Sequence, residues 1–396
     1  MSIERQERSR KGRMAVISCV IGVVGVVMVL CMYGPSFSRD PSKRADVPET
    51  NSVARDDPVH VDVNITLNEV DGTLDLQRVM KRVSMGEPKS LSGLIHVLRL
   101  FGKSAETDSH SEKFPRTPLL DIALDHEKSA SFFQGAPVLI STRHGVRCRS
   151  VPPRYPERYP ERQAHGDQFL AVLAEVGVPL NQRLSTTGGT HSVRSILEDS
   201  LANFDLRQAE VEWAALAYAL YLPPRKDWLD KFNRPQSFDK LAAELIDRPF
   251  GGYRSCAGTH LLYSLVTILR VDEQQPILSS AMRAKLREHL QHVTTTVVGS
   301  QLTDGSWDIN WYDRDDRDES RDIDANSTMK NRVLVCGHHL EWMMLLPRDM
   351  LPPTSCFLRG ARFLERQLLL ASPEAILEGY CPYSHAARVL QLLTRT

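Results

Sequence analysis

Four histidines recur in one local setting along the chain: His191 after Gly189-Thr190, His260 after Gly258-Thr259, His339 after Gly337-His338, and His385 after Tyr383-Ser384. Apolar residues at helical spacing follow each of them, and in three copies a Thr or Ser stands directly before the histidine. A hydroxyl at that position suits an N-cap that accepts an orphan helix N–H. The histidine then falls in the first helical turn, where the helix dipole disfavours the imidazolium form. A ring kept neutral can serve as hydrogen-bond donor, base or metal ligand.

Other reactive side chains lie close by. Glu341 follows His339 by two residues and offers a carboxylate for acid–base work. Cys256 precedes His260, Cys336 precedes the pair His338 and His339, and Cys381 precedes His385. Thiolate and imidazole are the ligands zinc prefers. Cys256, Cys336, His338 and Cys381 therefore form a candidate metal set, and His191, His260, His339, Glu341 and His385 a candidate catalytic set. The spacing is not a known zinc signature, and small cysteines beside glycine are also ordinary packing choices. Each histidine could equally be satisfied by a neighbouring carbonyl.

Helices must bring these residues together. Apolar residues at three- and four-residue spacing predict helices over 91–101, 168–176, 192–204, 207–222, 238–246, 261–269, 281–298, 333–346, 357–370 and 385–393. Strand signals are few, the clearest being 137–141, so the class is all-α with helices in consecutive pairs. If the pairs close into a ring, the histidine-bearing helices form its inner layer and aim at one central cavity. The tandem Tyr155-Pro-Glu-Arg-Tyr159-Pro-Glu-Arg162 is a loop, because its prolines exclude a regular helix.

The segment Gln301-Leu-Thr-Asp304-Gly305-Ser-Trp307 resembles the QW motif of squalene and oxidosqualene cyclases and of the related prenyltransferase-like α/α toroids. Arg359-Gly360-Ala-Arg-Phe363-Leu364-Glu-Arg-Gln367 resembles the helical half of a second copy. The resemblance implies a single α/α toroid in which Gln and Trp clamp a helix end. Asp313-Arg-Asp315-Asp316 matches the letters of the cyclase acid motif. It sits in a run of alternating charge through Asp324, however, which reads as a solvated, self-paired loop. With Glu319, the same aspartates are also a weak match to a magnesium–diphosphate site. Aromatic residues are 7% of the chain, few for an enzyme that stabilises carbocations on aromatic walls. The Asp-x-Cys zinc pair of protein prenyltransferases is absent. Gly337-His338-His339-Leu-Glu341-Trp342 is similar to a segment of N-acylglucosamine 2-epimerase-like (α/α) barrels, in which helix-end histidines move a sugar proton.

The remaining organisation is set by residues 14–34, which begin with twenty uncharged residues, long enough to span a bilayer as one helix. The basic tail 1–13 keeps the N-terminus cytoplasmic and sends the rest across. A cleaved signal peptide, with Ser36-Phe-Ser38 as its site, is the alternative. Residues 35–72 read as a polar, flexible tether and 73–396 as the toroid. Lys+Arg and Asp+Glu are both 49, a balance that does not favour a polyanion-binding protein, so no nucleic acid is expected as a partner. Five cysteines beyond the apolar segment are too few for a disulfide scaffold. The sequence thus predicts a single-pass, extracytoplasmic toroid acting as a binding or scaffold module without cyclase activity. The alternatives are a plain structural domain and a cavity enzyme. The enzyme would use the histidines, and zinc if present, on a small-molecule ligand such as a glycan or an isoprenoid.

Overall fold

The computed structural model describes residues 54–66, 74–84, 88–150, 160–224, 227–250, 255–313 and 328–394. The basic tail, the apolar segment 14–34, Asp315, Asp316 and most of the tandem tetrapeptide lie outside them. Among the described residues no helix is long and apolar enough to cross a membrane.

Mostly helical structure results, as the spacing predicts. The helices are α1 (Leu76–Val83), α2 (Leu91–Phe101), α3 (Leu119–Leu124), α4 (His126–Phe132), α5 (Gln168–Glu175), α6 (Arg194–Asn203), α7 (Val211–Tyr221), α8 (Phe238–Asp247), α9 (Thr259–Gln274), α10 (Ser280–Gly299), α11 (Met329–Met344), α12 (Thr354–Leu370), α13 (Pro373–Glu378) and α14 (Tyr380–Leu393). Three small antiparallel hairpins accompany them: β1 (Leu139–Ser141) with β2 (Val146–Cys148), β3 (Arg183–Thr186) with β4 (Gly189–Ser192), and β5 (Trp228–Leu229) with β6 (Pro235–Gln236).

Sequence composition sorts the helices into two groups. Every residue of α7 is buried, as are Gln168 through Ala174 of α5 and Cys336 through Met344 of α11. A helix that is apolar all round belongs inside. By contrast, α8 buries only Phe238, Leu241, Ala242 and Leu245, one stripe at helical spacing. Its start is capped by Ser237, whose hydroxyl accepts from the Lys240 N–H. The inner helices contact one another in a closed order: α2 packs on α5, α5 on α7, α7 on α9, α9 on α11, α11 on α14 and α14 back on α2. Outside them, α1 and α12 lie against α14, α12 also against α11, and α8 and α10 against α9.

Two expectations are corrected. The helix predicted from Ser192 starts at Arg194, and Gly189–Ser192 is instead strand β4, with Leu184 opposite His191. The tether expected over 35–72 is, in its described part, a packed strap. Val59 donates to the Leu220 carbonyl at 2.9 Å, and the Asn64 N–H to that of Met344 at 2.8 Å. Val59, Val61, Val63 and Ile65 lie on the core in strict alternation, the period of an extended chain with one buried face.

Gln301 and Trp307 tie the end of α10 to α12. The Gln301 Nε2 donates to the carbonyls of Gly305 at 2.9 Å and Cys356 at 3.0 Å. Trp307, fully buried, donates its Nε1–H to the Val297 carbonyl at 2.7 Å. Gly305 makes the turn possible: its φ is +93°, and a Cβ there would stand 2.2 Å from the Arg359 carbonyl oxygen. A left-handed L-residue plus this overlap should cost about 2 to 5 kcal/mol. The Gly305→Ala variant is therefore expected to melt well below the parent, and an unchanged thermal midpoint would refute this account of the turn.

Candidate metal centre

Four inner helices carry a histidine followed three residues later by a charged residue or tyrosine: His96 and Arg99 on α2, His260 and Tyr263 on α9, His338 and Glu341 on α11, His385 and Arg388 on α14. Residues three apart share a helix face. The result is two stacked layers of side chains on the inner faces of the ring.

One layer is ionic. Arg99 forks onto Glu175, at the end of α5, through two bonds of 3.0 Å. Arg388 Nη1 donates to Glu341 at 2.9 Å, and the Tyr263 hydroxyl to Glu175 at 2.6 Å. The cross pairs, Arg99 with Glu341 and Arg388 with Glu175, stand at 3.7 Å. Side chains of Arg99, Glu175 and Glu341 are each 5% exposed or less, so the two positive and two negative charges must balance within the layer. Burial works against the charge of Glu341, but the hydrogen bond from His385 and the charges of Arg99 and Arg388 outweigh it and hold the carboxyl well below its usual range.

The other layer consists of imidazoles and thiols. Gly337 allows it to be compact, because a Cβ there would lie 3.2 Å from His385 Cβ on α14. The rings of His338 and His385 consequently sit 3.8 Å apart at their centroids. Three rings have the Nδ1 engaged: His96 with the Ser92 carbonyl at 2.6 Å, His338 with that of Leu334 at 2.8 Å, and His385 with Glu341 at 2.9 Å. An Nδ1–H donated in this way leaves Nε2 with a free lone pair. The fourth, His260, faces the His338 Nε2 with its own Nε2 at 3.0 Å, and its buried Nδ1 has no hydrogen-bond partner. The cysteines complete two groups, His96 with Cys381 and His385, and Cys256 with His260 and His338. Within each group one ligand atom per residue lies within 4.8 Å of the others.

Cys256 reaches the cluster through an unusual turn. Cys256, Ala257 and Gly258 have φ of 50°, 55° and 77°, three left-handed residues in succession. For the two with side chains this costs about 1 to 2 kcal/mol each. Bonds from the Thr259 hydroxyl to the Cys256 carbonyl, at 2.7 Å, and from the Trp311 Nε1 to that of Ala257, at 3.3 Å, hold the turn. His165, stacked on Trp213 and bonded to Glu210 at 2.7 Å, borders His260 at 6.1 Å.

Of the predicted site residues, His260, His338, Glu341, His385, Cys256 and Cys381 meet here. Only His260 lies at a helix start, and its Thr259 does not cap. His385 stands in the second turn of α14, and the Ser384 hydroxyl donates to the Cys381 carbonyl at 2.8 Å. His191 sits in β4, its Nε2 3.4 Å from the Ser141 hydroxyl, apart from the cluster. His339, mid-helix, turns the other way: its Nδ1 accepts from Trp342 at 3.0 Å and its ring packs edge-on against Trp307 and Trp311. Cys336 is removed from the metal set, because its thiol is buried against the Gly360 carbonyl at 3.8 Å. His96, Arg99, His165, Glu175, Tyr263 and Arg388 also belong to the site and were not among the residues expected from the sequence. The three-residue spacing after each histidine is the signal that finds His96, Arg99, Tyr263 and Arg388.

The expected central cavity is not what the ring holds at this level. A void of about 10 Å³ lies between Arg99, Trp213, His260, Tyr263, His338 and Glu341, room for about one water. On the other side His96 and Cys381 open on a groove of about 1270 Å³. No family model matches the chain, and no match is found among curated proteins or solved structures. Function is therefore read from the side chains themselves.

Burial pushes His96 down to about 4 and lowers His260, His339 and His385 as well. Burial also opposes charge on His338 and His165, but Cys256 and Glu341 beside the first and Glu210 beside the second raise them. A histidine whose folded pKa is depressed binds its proton more readily in the unfolded chain, so folding stability falls as pH drops below the unfolded value near 6.5. For His96 alone the loss down to pH 4 is on the order of 3 kcal/mol. Chelator-treated protein should therefore unfold at a progressively lower temperature between pH 6.5 and 4, the four lowered rings outweighing the two raised ones. A flat profile would contradict neutral buried imidazoles.

Proposed function

We propose that the chain is a metal-binding α/α toroid of the terpenoid-cyclase and prenyltransferase-like type, without cyclase chemistry, whose inner histidine–cysteine cluster holds zinc. The observation that carries this reading is the pair of groups in which two imidazoles and one thiol each bring a ligand atom within 4.8 Å of the others, with the Nδ1 of His96, His338 and His385 already engaged. Second-side hydrogen bonds to carbonyls and a carboxylate are how metal-ligating histidines are oriented. Mixed nitrogen and sulfur donors suit a borderline-soft divalent ion. Contact with Cys381 and burial push the Cys256 thiol up, so without a cation it stays protonated. A bound cation reverses that preference and makes the thiolate the stable form.

The closed order of helix contacts from α2 round to α14 supports the toroid, and the Gln301 and Trp307 tie supports the family likeness. A cyclase needs an apolar, aromatic-walled chamber for its cation. Here two Arg, two Glu and a 10 Å³ void occupy the inner faces, which favours a binding module over an enzyme holding an isoprenoid or sugar among them. The domain is carried outside a membrane on residues 14–34, a reading supported by their uncharged run and the basic residues before it.

Elemental analysis of protein purified without chelator tests the reading. Stoichiometric zinc is expected, together with a lower zinc content in His338→Ala and an unchanged content in His339→Ala. Zinc at one hundred times its dissociation constant should stabilise the fold by about 2.7 kcal/mol. Protein devoid of stoichiometric metal, with no thermal shift on adding zinc, would refute it.

A further inference from the structure

We infer that the centre takes two divalent ions rather than one, and that the second, held by His96, Cys381 and His385, keeps a coordination position open to the groove for an anionic ligand. This rests on the metal-binding reading above and deepens it. The donors fall into two groups with no shared member, each of two histidines and one cysteine. Zinc is bound by four ligands in structural sites, so one ion leaves donors unused, whereas two ions leave each three-donor group one position short. Three protein ligands plus one exchangeable position is the arrangement that lets an ion bind an outside molecule.

The two groups differ in what fills that position. His260 and His338 line the 10 Å³ void, which has room for a single water. His96 and Cys381 line the groove of about 1270 Å³, whose lining carries Lys89 and Lys113 but also Asp108, Glu112 and Glu378. Charge then selects the ligand. The layer of Arg99, Arg388, Glu175 and Glu341 is neutral in itself, and two thiolates offset only half the charge of two divalent ions. The lysines of the groove are offset by its own Asp108, Glu112 and Glu378, so the demand comes from the ions: their excess of two positive charges calls for an anion at the open position, of which a carboxylate or a hydroxide are the simplest kinds.

Metal content of the full chain decides the stoichiometry, and cobalt(II) substitution with azide as probe decides the access. Two ions per chain are expected, one released to a chromogenic chelator at least tenfold faster than the other. Cys381→Ser should leave one slowly released ion, and Cys381→His, which keeps a ligand, should retain two. Azide should change the visible spectrum of the cobalt-loaded parent and Cys381→His proteins but not of Cys381→Ser, with far-ultraviolet dichroism confirming that each variant is folded. A single ion in the parent overturns the inference while leaving the metal-binding reading intact, and no ion at all overturns that reading itself. Two ions released at one rate, or a spectrum indifferent to azide, overturn the open position.

Discussion

A buried charge must find its counter-charge, and the ring of inner helices is organised around that requirement. Arg99, Glu175, Glu341 and Arg388 come from four different helices, and Tyr263 from a fifth. Leaving one of them unpaired in this setting costs about 3 to 5 kcal/mol, a large share of the stability of a folded domain. The helices can therefore close only in the rotation and axial register that brings two guanidinium groups onto two carboxylates. Burial of apolar surface drives the helices together without direction. The ionic layer selects one arrangement among those that such burial permits.

The positions of the histidines follow from that selection. On α2, α9, α11 and α14 the histidine lies one turn from the residue that enters the ionic layer, so fixing the second fixes the first. Glu341 links the layers most directly, because one oxygen receives Arg388 and the other receives the Nδ1 of His385. Arg99, 3.2 Å from that same nitrogen, gives the ring a further reason to remain neutral. The left-handed turn at Cys256 and Ala257 brings a sulfur to the cluster at a conformational cost that packing elsewhere must sustain.

Much of this was legible in the sequence. Helix periodicity located nearly all the long helices, and the neighbourhood of cysteine and histidine pointed to Cys256, His260, His338, Cys381 and His385. His338 and His339 were both expected in the site, and only His338 is there, because adjacent helical residues point about 100° apart and local pattern alone does not tell which side is inward. His191 shares the preceding Gly-Thr but belongs to a hairpin, where long-range pairing with Leu184 overrides the helical signal. Glu175 and His165 carry no repeat and are recruited by the closure of the ring. The strap at 59–65 was hidden because its period of two was embedded among charged residues.

The central claim is that nitrogen and sulfur from this cluster bind a common metal. An X-ray absorption spectrum at the zinc edge of the purified chain addresses it most directly. The account predicts a mixed first shell, with sulfur at about 2.3 Å and imidazole nitrogen at about 2.0 to 2.1 Å. A shell of light atoms alone, indistinguishable from hydrated or surface-bound zinc, would contradict it.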